Sequence, residues 1–104
     1  DLTTGITKAS FIAPRAFTLT EVIAALDTVA TGSTFIVDIN VNGTTILSTK
    51  LSIDDGEDTS ITAATPPVIS DDEISKGDKI TIDIDQIGST IAGKGLTVYL
   101  LGTL

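Results

Sequence analysis

The sequence predicts an all-β domain, an antiparallel β-sandwich of about six to eight short strands, from three observations. The apolar content is 41% of 104 residues, and it is Ile, Val, Leu and Ala with only four aromatics, Phe11, Phe17, Phe35 and Tyr99. Thr is also abundant. Such β-branched side chains lose χ1 freedom in a helix and pack well on a pleated sheet. The dominant hydrophobic period is two rather than 3.6. Turn residues recur between the alternating runs at intervals of about 8–12 residues, as in sandwiches and barrels. Two facing sheets would bury the aliphatic faces of those runs.

The clearest run covers residues 35–41, with Phe35, Val37, Ile39 and Val41 on one face and Asp38 and Asn40 on the other. Asn42-Gly43 follows at once. That dipeptide supplies the positive φ angles of a type I′ turn, so a hairpin into residues 44–48 is expected. The acidic cluster from Asp54 to Asp58 separates residues 47–53 from a Thr-rich stretch that ends near Ala64. Pro66-Pro67 marks a loop or a sheet edge, because proline donates no ladder hydrogen bond. Further turns are expected at Asp71-Asp72-Glu73 and at Lys76-Gly77-Asp78. Residues 79–86 then read as a strand with Ile80, Ile82 and Ile84 on one face. Residues 96–101 close the chain as a strand apolar on both faces, and hence central or covered. Residues 17–30 fit a capped helix or a strand, and Thr18, Thr20 and the all-β surroundings favour the strand.

The length predicts one domain spanning residues 1–104. The start at Asp1 and the lack of Met predict a fragment or terminal domain of a longer polypeptide. With no Cys and no His, thiolate and imidazole metal sites, Cys or His nucleophiles and a His general base are excluded. No cofactor is expected. Six basic against fourteen acidic residues give a net charge of −8. A field of that sign repels phosphate backbones and anionic lipid, so neither nucleic acid nor a membrane is an expected partner.

Carboxylates are the only plentiful reactive groups. Asp83 and Asp85 share a strand face, as do Asp38 and Asn40. Were those strands neighbours, four oxygen-bearing side chains would cluster where a hard cation such as calcium could bind. The plainer reading is the solvated face of two amphipathic strands. The run from Asp54 to Asp58 lacks the alternating acids of an EF-hand and reads as a solvated turn. Tyr99 is the candidate for stacking a sugar, being the only aromatic with a polar handle, and it faces away from Leu96, Val98 and Leu100. The plainer reading packs it on a neighbouring chain or at a sheet edge. The three Phe fall at core positions. The glycines at 88, 93 and 95 lack the ordered Gly-Lys-Ser/Thr ending of a phosphate loop, so a flexible connection is expected. Arg15, the single arginine, is expected to pair with an acid within or between chains. Opposed carboxylates walled by aromatics are missing, so no enzyme is expected.

Residues 11–20 open a longer pattern. It continues through Ile36-Val37-Asp38-Ile39, Asn42-Gly43, residues 46–51, Ile53-Asp54 and Gly56-Glu57, and ends with residues 80–90 and Gly95-Leu96. Over nearly the whole chain this resembles a β-sandwich domain of bacteriophage virion proteins, found at the ends of tail-fibre and minor structural proteins. The resemblance implies a jelly-roll-like sandwich, a place on the virion surface and a homo-oligomer, specifically a trimer. It also implies that residues 17–26 form a strand, and it carries no catalytic motif. The function expected is a tail-fibre or tail-associated module that oligomerises, binds other virion proteins and contacts the host surface. A capsid decoration protein and a module binding host-surface glycan are the alternatives.

Overall fold

The computed structural model describes every residue from Asp1 to Leu104, and the period-two runs become its long strands. These are β1 (Gly5–Ile12), β2 (Phe17–Thr28), β3 (Phe35–Val41), β9 (Lys79–Gln86) and β10 (Lys94–Thr103). Short strands fill the intervals: β4 (Thr44–Thr45), β5 (Leu47–Thr49), β6 (Leu51–Ile53), β7 (Val68–Ile69) and β8 (Glu73–Ile74). Ten strands therefore replace the six to eight expected, because residues 44–53 and 68–74 are cut into pieces of two or three residues. The Thr-rich stretch forms a single 3₁₀ turn, Ser60–Thr62.

All pairing is antiparallel. One sheet runs β1-β9-β3, with β4 and β6 on the far edge of β3. A second runs β10-β2-β8, and β5 pairs with β7. The inward faces share one core of 17 buried apolar residues. Leu19, Val22, Ala24 and Leu26 of β2 meet Phe35, Val37 and Ile39 of β3, with Ile80, Ile82 and Ile84 of β9. Each Val, Leu, Ile or Phe side chain among them contributes roughly 1.5–3 kcal/mol on leaving water. The arrangement is sandwich-like, but sheets of five, three and two strands do not by themselves draw a jelly roll.

Residues 17–28 are strand throughout, although not a regular one. Leu101 pairs with Glu21 while Gly102 pairs with Leu19, so Thr20 is an extra residue. A bulge of this kind reverses parity, which lets both Leu19 and Val22 point inward. Gly102 is obligatory there, since a Cβ would lie 2.6 Å from both Phe17 Cδ2 and the Thr18 carbonyl oxygen. The β3–β4 turn follows expectation, with φ of 52° at Asn42 and 86° at Gly43.

Of the two alternatives for the last strand, the central one is ruled out: β10 is the edge of its sheet. Two expectations are corrected. Phe35 is buried and Phe17 half-buried, but Phe11 is 44% exposed, because it lies on an edge strand where the sandwich opens. The loop from Gly88 to Gly93 is tied rather than loose. The Thr31 carbonyl accepts from Thr90 and Ile91, Thr31 donates to the Ile91 carbonyl, and a Cβ on Gly88 would lie 1.9 Å from that oxygen.

Candidate functional site

The outer face of the β3–β9 sheet does gather the predicted carboxylates. Asp38 is the register partner of Asp83, and Asn40 that of Thr81. This face is not an open solvated one, however. Asp38 is only 6% exposed. Its Oδ1 accepts from Thr45 Oγ1 at 2.6 Å and from the Ile39 amide at 2.9 Å, while Oδ2 lies 4.0 Å from Lys50 Nζ. Thr45 and Lys50 come from the chain after the Asn-Gly turn, which folds back beside β3 and covers the carboxylate.

Asp83 is equally occupied. Its Oδ2 accepts from Asn40 Nδ2 and its Oδ1 from the Thr7 amide, both at 2.8 Å. To aim that amide, Thr7 adopts φ 51° inside an irregular stretch of β1, a costly conformation for a β-branched residue. Asp85 binds the Lys50 ammonium directly. That hydrogen bond raises the Lys50 pKa above its ordinary value; desolvation opposes the shift, and the charges of Asp85, Asp38 and Asp83 add to it. A lysine thus stands where the clustered oxygens could otherwise have taken a hard cation. No group of three or more acids is set to hold a metal ion.

The acidic turn also has structural work. Asp54 Oδ2 accepts from the Ala64 amide and Asp55 Oδ1 from Gly32, so these acids pin neighbouring loops. Arg15 is exposed between β1 and β2 and forms no ion pair within the chain. Ser60 gave no signal in the sequence, yet it is buried and its Oγ accepts from the Ala24 amide, closing the far side of β2.

The outer face of the β2–β10 sheet is of the opposite kind. Tyr99 is 50% exposed and Leu101 42%. They lie over a shallow hollow shared with Ile23, Ala25 and Ile61, the last 70% exposed. Ile23 and Ile61 also line the adjoining hollow, which reaches Pro66 and Val68. The two hollows form one largely apolar surface, interrupted by Thr20 and Glu21 at the Leu101 end. Tyr99 and the Asp38–Asp83 pair lie on opposite outer faces with the core between them, so the two sets cannot grip one sugar.

The third feature is a cleft of about 390 Å³ between the edges β1 and β10. Phe11 and Ala9 line one wall, Leu96, Val98 and Leu100 the other, and Ile82 and Ile84 the floor. It is an unfilled rim of the core, apolar except for Lys8. No family model, curated protein sequence or solved structure matches the chain.

Proposed function

We propose that this chain is a structural module of a bacteriophage virion: a tail-fibre or tail-associated domain that assembles with copies of itself and with other virion proteins. The observation that carries the reading is the largely apolar surface over Ile23, Ile61, Tyr99 and Leu101. Monomeric soluble proteins seldom leave contiguous apolar patches beyond a few hundred Å² uncovered, and larger ones usually mark interaction sites. The resemblance of residues 11–20, 46–51 and 80–90 to phage virion domains supplies the biological setting. Trimerisation, the number implied by that resemblance, would bring three such faces onto one axis.

The two outer faces then divide the work. The apolar one meets sister chains. The acidic one, with its carboxylates tied to Lys50, Asn40 and Thr45, stays outward, towards the host surface. No catalytic step belongs to this reading.

An antibody raised against the folded domain tests it. Decoration of phage particles at the tail is the expected result, and decoration of the shell would favour a capsid decoration protein instead. Particles left bare by an antibody that binds the free domain would remove the virion reading altogether.

A further inference from the structure

The cleft is bordered by two free sheet edges, and they are not equally protected. Natural edges are blunted by bulges, charges or prolines, because unpaired backbone groups invite another strand. β1 has such devices. Its pairing with β9 breaks between Gly5 and Ala9, Thr7 is left-handed, and Lys8 Nζ folds back to donate to Thr3 Oγ1. β10 has none from Leu96 to Leu100, a stretch that pairs with β2 in unbroken register and contains no charge and no proline. Its other side is free.

Charge narrows the occupant. None of the fourteen acidic residues lies beyond Asp85. A second copy of so acidic a chain is repelled over much of the surface but not along this strand. The one charge within β10 is Lys94, at its first residue and 3.7 Å from Asp1. An antiparallel pair would set each Lys94 at the far end from its copy. There it approaches the end of the sheet that carries Glu21 and Glu73, which sit opposite Leu101 and Thr18.

We propose that β10 pairs antiparallel with β10 of a second copy of this chain. The pair is related by a twofold axis perpendicular to the sheet, which joins the two β10-β2-β8 sheets into one and roofs the cleft of each chain. The proposal rests on the self-assembly reading above and adds the strand that performs it. It is independent of a threefold contact through the outer face, so the assembly holds an even number of chains either way.

Native mass measurement of the whole chain over a range of concentrations tests this, with Thr97→Lys as the probe. Thr97 is exposed, makes no side-chain hydrogen bond and lies near the middle of β10, so the substitution puts two like charges near the axis. Because Thr97 shares the outer face of Tyr99 and Leu101, the even number of chains, and not weakening alone, marks the edge pairing. We expect an even-numbered assembly whose pairing weakens roughly tenfold or more in the variant, with an unchanged far-ultraviolet circular dichroism spectrum. Mixing Thr97→Lys with Thr97→Glu is expected to restore a mixed pair. A trimer indifferent to Thr97→Lys would overturn the edge pairing while leaving self-assembly in place. A chain monomeric at every concentration would overturn both and assign the edge to a strand of another protein.

Discussion

The two outer faces of this domain come from strands of similar alternation, and they end in opposite conditions. On the β3–β9 face every polar group in the central cluster has found a partner within the chain. Asp38 has Thr45 and Lys50, Asp83 has Asn40 and the Thr7 amide, and Asp85 has Lys50. On the β2–β10 face the outward residues are Ile23, Ala25, Tyr99 and Leu101, with Glu21 and Thr97 beside them, and no described element lies over them. A polar face can be completed locally by one lysine and a hydroxyl. An apolar face is completed only by another layer. The closed face therefore serves the fold, and the open one is the face that the proposed assembly would use.

The largest test of that contrast is the double change Tyr99→Glu with Leu101→Glu. Charging the open face is expected to weaken self-association by roughly a hundredfold, as for loss of a central anchor, while thermal unfolding of the isolated chain hardly moves. A variant that associates normally but melts early would reverse the assignment of the two faces.

Asp38→Ala is the converse. It should leave association unchanged and cost about 2 kcal/mol in urea unfolding, since it strips the Ile39 amide and the Thr45 hydroxyl of their acceptor beneath a covering chain. Lys50→Met is the smallest. Lys50 is 46% exposed, so its ion pairs are screened and their loss should cost less than about 1 kcal/mol near neutral pH. Its pH dependence has a definite sign. The folded-state pKa lies above the ordinary 10.5, so the contribution is complete below that value and disappears as pH rises through the raised one. The stability gap between wild type and Lys50→Met should accordingly be level from neutral pH to about 9 and close in stronger alkali, which denaturant titrations at each pH would follow.

Much of this fold is legible in the sequence because alternation is a local property. Residues 35–41 and 79–86 are strands on that ground alone, and the Asn42-Gly43 turn follows from two φ angles. Residues 17–28 show why local reading falters. The extra Thr20 reverses parity, so Leu19, Val22, Ile23 and Leu26 fall at helical spacing within a continuous strand. The pairing of Asp38 with Asp83 was foreseeable only as a condition, since strand order is non-local. The role of Lys50 was not foreseeable, because a chain reversal through two short strands brings it back onto β3. The edge position of β10 is of the same kind. Its two apolar faces signal cover, but not whether the cover belongs to this chain.

The longest ladder in the molecule joins Thr18–Thr28 to Lys94–Thr103, two strands far apart in the sequence. Closing so distant a contact costs loop entropy before any packing rewards it, which places such topologies among domains that fold in milliseconds to seconds. During synthesis β2 must wait for β10 to emerge, with Val22, Ala24 and Leu26 lacking the strand that completes their sheet. Nascent copies crowded on one message could then exchange their last strands, each β10 settling on a neighbour's β2. A domain-swapped by-product is expected to grow with expression level.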